Sequence, residues 1–127
     1  MKFLQRNILI IESEAIVALD IILNFSNNGY NIIAHVSSLG EVLKNLKNFE
    51  ETDIILVDSD LSDFQDKINT AEKYYRSFKK PLIILTSYID DKILARCSKY
   101  ETVKIIEKPI NSDELIEVAG EMLKQLN

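Results

Sequence analysis

The sequence predicts an α/β fold: a doubly wound, five-stranded parallel sheet with helices on both faces. Five short apolar runs recur along the chain, Ile8–Ile11, Ile32–Val36, Ile54–Val57, Leu82–Leu85 and Val103–Ile106. Each is rich in Ile and Val, and most are continuous rather than alternating, the pattern of parallel strands buried on both faces. Longer segments with helical spacing separate them. Strands alternating with helices need right-handed crossovers, and these put helices on both sides of the sheet.

The elements follow in order. After the first strand, Ile16, Leu19, Ile22 and Leu23, with Phe25 as a further candidate, form one helical stripe, and Asn28-Gly29 supplies a stop. Beyond the second strand, Ser38 with Glu41 reads as a capping box for a helix carrying Val42, Leu43 and Leu46. The third strand leads to Ser62 and Gln65, a weaker box ahead of Ile68, Ala71, Tyr75 and Phe78. The fourth leads to a helix from about Ile89 to Ser98, with Cys97 packed in or beside it. Asn111 with Glu114 opens the last helix, bearing Leu115, Val118, Ala119 and Leu123.

At 127 residues the chain is expected to form a single domain over 1–127, with 46% hydrophobic and 28% charged residues near the globular average. A net charge of −5 argues against direct nucleic-acid binding, which draws on basic patches. Cys97 is the only cysteine, so no internal disulfide and no structural zinc cluster can form. Neither a secretory signal nor a membrane-length apolar stretch is visible, so a soluble, cytoplasmic protein without a membrane partner is expected.

In sheets of this type ligands bind outside the carboxyl ends of the strands, where strand order reverses. The residues there are Glu12 and Ser13, Asp58, Thr86 and Lys108. The second strand offers nothing comparable, which suits an edge position. Singly, Asp58 reads as a turn residue or helix cap, Thr86 as a loop hydroxyl and Lys108 as a solvated lysine. An acid such as Glu12 behind a buried strand is costly without a partner. Together they form a coherent set: a carboxylate can attack phosphorus to give an acyl phosphate, while an ammonium, a hydroxyl and an oxygen-bound dication neutralise the transferring group. His35, the lone histidine, is expected away from this site as a packed or surface residue.

Four segments resemble the receiver domains of two-component response regulators. They are Ile8-Leu9-Ile10-Ile11-Glu12-Ser13-Glu14, Asp53-Ile54-Ile55-Leu56-Val57-Asp58-Ser59-Asp60-Leu61, Pro81-Leu82-Ile83-Ile84-Leu85-Thr86-Ser87-Tyr88 and Glu107-Lys108-Pro109-Ile110. The resemblance runs over essentially the whole chain and implies a flavodoxin-like sheet of order 2-1-3-4-5. It implies that Asp58 accepts a phosphoryl group from a histidine kinase or histidine phosphotransfer protein. Mg2+ would be held by Glu12, Asp58 and the backbone carbonyl of Asp60, Thr86 would turn toward the phosphoryl oxygens, and Lys108, before a cis proline, would pair with them. Output to a downstream protein target would use the fourth helix, fifth strand and last helix, and self-association into a homodimer through the last two helices is open. Such a domain is a phosphoacceptor, not a turnover enzyme.

The chain departs from the family pattern at several points. Ser13 stands where the family carries a second metal-binding acid, making it a weak or lost ligand and Mg2+ binding weaker. Ser13 reads equally as the N-cap of the first helix. Glu14 can compensate, or can simply be stabilised by the helix dipole. Ile105 replaces the usual aromatic three residues before the Lys; Tyr88 can carry part of that role or be an exposed helix-start residue. Ser62 and Lys67 stand where the loop after the acceptor usually has Pro and Gly. Two functional readings therefore compete, a working phosphorylation switch and a pseudo-receiver that binds partners without being phosphorylated. A flavin enzyme on the same fold is disfavoured, because the first loop is acidic and the chain has only 3 Gly.

Overall fold

The computed structural model describes residues 5–59, 76 and 79–124. Its elements are β1 (Asn7–Ile11), α1 (Ala15–Asn27), β2 (Asn31–Val36), α2 (Leu39–Lys44), a 3-10 turn (Leu46–Phe49), β3 (Ile54–Asp58), β4 (Leu82–Thr86), α3 (Asp91–Cys97), β5 (Val103–Glu107) and α4 (Ser112–Lys124). The strands form one sheet of order β2-β1-β3-β4-β5, and every neighbouring pair is parallel. Both the strand positions and the expected order hold. Every residue of β3 and β4 is buried, as their unbroken apolar runs require, whereas the edge strands β2 and β5 keep exposed positions.

Alternation along the strands feeds two cores. Leu9, Ile11, Ile55 and Val57 pack with Val42 of α2, Phe49, and Ile93 and Cys97 of α3. On the other face Ile8, Ile10, Ile54 and Leu56 meet Ile21 and Phe25 of α1, and Leu115, Ala119, Met122 and Leu123 of α4. This is the doubly wound arrangement. Each fully buried Ile or Leu contributes about 1.5–3 kcal/mol, so the two faces are what hold the site-bearing sheet edge in place.

The helix boundaries follow from side-chain caps. Ser38 Oγ accepts the Glu41 N–H at 3.3 Å, Asp90 Oδ1 accepts the Ile93 N–H at 2.8 Å, and Asn111 Oδ1 accepts the Glu114 N–H at 3.0 Å. Helix α1 stops at Asn28 and Gly29, where the chain turns with φ 86° at the glycine. The helix expected over Val42 and Leu46 is shorter than its apolar spacing suggests: it ends at Lys44, and Leu46 belongs to the 3-10 turn. The helix expected from Ser62 through Phe78 lies outside the described residues.

The expected stripe of α1 is corrected in part. The buried face of α1 is Ala18, Ile21 and Phe25; of the expected stripe Phe25 is buried, whereas Ile16, Leu19 and Leu23 are 85%, 56% and 51% exposed. Of that stripe, Ile22 is partly buried against the core. Helix α1 is apolar on nearly all sides, so two helical stripes are available and periodicity cannot choose between them. The choice is made at the helix start, where the β1–α1 connection sets the rotation.

Candidate functional site

Because all five strands run the same way, the residues that end them share one edge of the sheet. Glu12 follows β1, Asp58 and Thr86 are the last residues of β3 and β4, and Lys108 follows β5. Adjacency of β1 and β3 brings Glu12 beside Asp58. Lys108 starts two strands away from Asp58, on the far side of β4, and its backbone N–H donates to the Thr86 carbonyl at 2.8 Å. Its long side chain then crosses to Asp58, where Nζ lies 2.9 Å from Oδ1. The Lys108–Pro109 peptide is cis, as the resemblance implies.

This edge is acidic and largely closed to water. Glu12 is 1% exposed and Asp58 is also buried. The Glu12 carboxyl accepts the Glu14 N–H on Oε1 at 3.0 Å, while Oε2 is buried with no hydrogen-bond partner among the described residues. Burial, followed by the neighbouring Asp58 carboxyl, pushes the Glu12 pKa up to about 7, against the opposing effects of the Glu14 N–H and the Lys108 charge. Both carboxyls thus lie within the field of the Lys108 ammonium. An unsatisfied carboxylate oxygen beside a second carboxylate is a donor set that fits a hard, oxygen-seeking dication.

The remaining expected residues are placed less uniformly. The Thr86 hydroxyl donates to the Tyr88 carbonyl at 3.0 Å and accepts the Tyr88 N–H at 3.3 Å, so it is engaged with the backbone of its own loop. Ser13 is exposed, and it is not the N-cap of α1: Glu14 holds that position, without a side-chain cap bond. The Glu12 carboxylate does part of the capping work from two residues upstream. Glu14 itself is exposed. Asp60 lies outside the described residues, as do Ser62 and Lys67. Ile105 is partly buried and packs against the α2–α3 core, while Tyr88 is exposed ahead of α3.

Two residues at this edge were not foreseen as neighbours of the site. Ser59 is buried directly after Asp58, and its hydroxyl lacks a partner among the described residues. His35, expected away from the site, reaches it: Nε2 donates to the Glu12 carbonyl oxygen at 2.8 Å. His35 is a surface residue as expected, but its ring reaches back to the neighbouring strand's backbone, which residue order does not reveal.

A parallel sheet of this order, with two carboxyls and a lysine gathered at its carboxyl edge, defines a doubly wound α/β domain with a charged strand-end site. A family model for the response regulator receiver domain matches residues 8–119, and the chain belongs to that family. Receiver domains are signalling modules of two-component systems and typically use Mg2+. The phyllosphere-induced regulator PhyR of Methylorubrum extorquens is 25% identical over 116 residues, covering 91% of this chain and 43% of the relative. The chain thus spans less than half the length of that protein. Among solved structures, a two-component response regulator from Clostridium difficile superposes with a TM-score of 0.82 at 20% identity, covering 97% of this chain and 99% of the other. A CheY-like receiver domain from Methanospirillum hungatei gives 0.81 at 22%, covering 96% of each chain. A response regulator from Thermotoga maritima gives 0.79 at 19%, covering 95% and 99%. These structural likenesses speak for the fold.

Proposed function

We propose that the chain is a phosphorylation switch in which Asp58 is the acceptor. One oxygen of its carboxylate attacks phosphorus, the phosphorus–nitrogen bond of a donor phosphohistidine breaks, and an acyl phosphate forms. The donor is a histidine kinase or a histidine phosphotransfer protein. The observation that carries the reading is the Lys108 ammonium, 2.9 Å from the Asp58 carboxylate, beside the Glu12 carboxyl with its unpartnered oxygen. Lys108 neutralises charge on the transferring group, and Thr86 becomes a donor to it once its bonds to Tyr88 exchange. Glu12 and Asp58 would hold Mg2+, with the Asp60 carbonyl as a further ligand and Ser13 contributing little. The ion would neutralise charge on the phosphoryl oxygens.

A groove of about 670 Å3 beside Lys108 is lined by Glu14, Ile16, Asp20 and Ile110 among others, and adjoins the exposed stripe of α1. An apolar strip next to the acceptor suits a docking donor protein. In this reading the domain over 1–127 works in the cytoplasm and passes its state to a downstream protein target. It is not a turnover enzyme, and homodimer formation would run through α3 and α4. No helix among the described residues is long and apolar enough to cross a membrane.

A second reading, a pseudo-receiver that works by protein contact alone, is favoured by the neutral, exposed Ser13 in place of a metal-binding acid. Intact-mass measurement after treatment with a small-molecule phosphodonor and Mg2+ separates the two. The switch gives one phosphoryl adduct that Asp58→Asn abolishes. No adduct at high Mg2+ supports the pseudo-receiver, and an adduct gained only by Ser13→Asp locates the defect in metal binding.

A further inference from the structure

In a parallel strand pair, a residue that donates its N–H to the partner strand receives on its own carbonyl an N–H from two residues further along that partner. After a register shift between Ile8 and Leu9, strands β1 and β2 run in step to their ends: Ile11 pairs with Val36, and the Glu12 N–H donates to the Val36 carbonyl at 3.0 Å. The next rung would take the Ser38 N–H to the Glu12 carbonyl. Strand β2 stops at Val36, however, and Ser38 is already the N-cap of α2. The ring of His35 fills the place, with Nε2 2.8 Å from the Glu12 oxygen. A carbonyl only accepts, so Nε2 carries the hydrogen.

We propose that His35 is a positioning residue for the acidic site: by closing the last rung of the ladder it fixes the Glu12 backbone and hence the placement of the Glu12 carboxyl. The β1–α1 connection is thereby held from both sides of the Glu12 peptide, by Val36 on its N–H and by His35 on its carbonyl. The carboxyl leaves this anchored point to cap the Glu14 N–H and to face Asp58. Groups that orient a metal ligand from outside the coordination shell commonly change metal affinity by about 10–100-fold when removed. The use of this placement for Mg2+ rests on the phosphorylation-switch reading; the placement itself does not. His35 is exposed on an edge strand, so replacing it leaves both cores intact.

The test compares the wild type with His35→Phe, which keeps a ring but loses the donor, and His35→Gln, which keeps an N–H at similar reach. Amide exchange at Glu14, whose N–H is held by the Glu12 carboxyl, reads the placement without metal. An NMR titration with Mg2+ alone reads its use. In His35→Phe, Glu14 exchange is expected to rise about tenfold and Mg2+ affinity to fall about tenfold, with His35→Gln restoring both. Unchanged Glu14 exchange in His35→Phe, or a His35→Gln variant as impaired as His35→Phe, overturns the proposal. So does unchanged Mg2+ affinity in His35→Phe when the wild type binds the ion. A wild type that binds no Mg2+, with Glu14 exchange still responding and restored by Gln, supports the placement by His35 and counts against the metal-dependent switch alone.

Discussion

Lys108 follows the edge strand β5, yet its ammonium lies 2.9 Å from Oδ1 of Asp58 at the end of β3, across the intervening strand β4. Removing one partner of a buried ion pair leaves the other charge poorly compensated. Lys108→Met is therefore expected to lower unfolding free energy by about 2 kcal/mol at neutral pH. Asp58→Asn in the same chain should recover most of it, because the charge to be neutralised is gone. Urea unfolding of the two single variants and the double variant measures this coupling. Additive losses would mean the pair contributes nothing.

The raised pKa of Glu12 makes the fold sensitive to pH in a stated direction. Its value rises from 4.5 to about 7 in the folded chain, so the fold favours the protonated carboxyl. That contribution is fully present below about 4.5 and is lost as pH climbs through about 7. It amounts to about 3 kcal/mol at most. Unfolding curves across this window should show stability declining in the wild type, and Glu12→Gln, locked neutral, should flatten the slope. An equal slope in both proteins would assign the pH dependence elsewhere.

If Glu12 holds Mg2+ as proposed, the ion and the Glu12 proton compete for the same carboxyl group. Metal affinity is expected to rise with pH toward about 7, where Glu12 ionises, and to level off above it. Calorimetric titration in two buffers of different ionisation enthalpy should detect proton release on the acid side and little at about pH 8. Affinity independent of pH would remove Glu12 from the ligand set.

The two faces of α1 should behave differently under mutation. Ile21→Ala, in the core, is expected to cost about 3 kcal/mol. Leu19→Ser, on the exposed stripe, should change stability by no more than about 0.5 kcal/mol. If that stripe docks a donor protein, Leu19→Ser slows phosphotransfer from the protein donor while leaving small-molecule phosphorylation unchanged. Thermal unfolding of the two variants checks the first part, and comparison of the two donors checks the second.

The sheet was legible because its central strands, buried on both faces, are filled by apolar side chains up to their last residues, so their Ile and Val runs mark them in the sequence. Glu12, Asp58, Thr86 and Lys108 were legible as strand-end residues for the same reason: once the strands are known, parallel topology gathers their ends. What escaped was set by contacts that residue type does not encode. Helix α1 is apolar on two faces, and only its entry geometry selects Ala18 and Ile21, with the foreseen Phe25, for the core. The start of α1 differs from its expected form because the cap comes from the Glu12 carboxyl and not from the Ser13 hydroxyl. His35 escaped because it binds a backbone carbonyl, an acceptor every residue carries.

The shared pocket of Glu12, Asp58 and Lys108 is tested most directly by NMR of the labelled protein titrated with Mg2+ and then with beryllofluoride. The expected result is Mg2+-dependent shifts at Glu12, Asp58 and Lys108, followed by a beryllofluoride complex that also moves Thr86 and is absent in Asp58→Asn. Shifts scattered over surface acids, or a response that Asp58→Asn leaves intact, would contradict it.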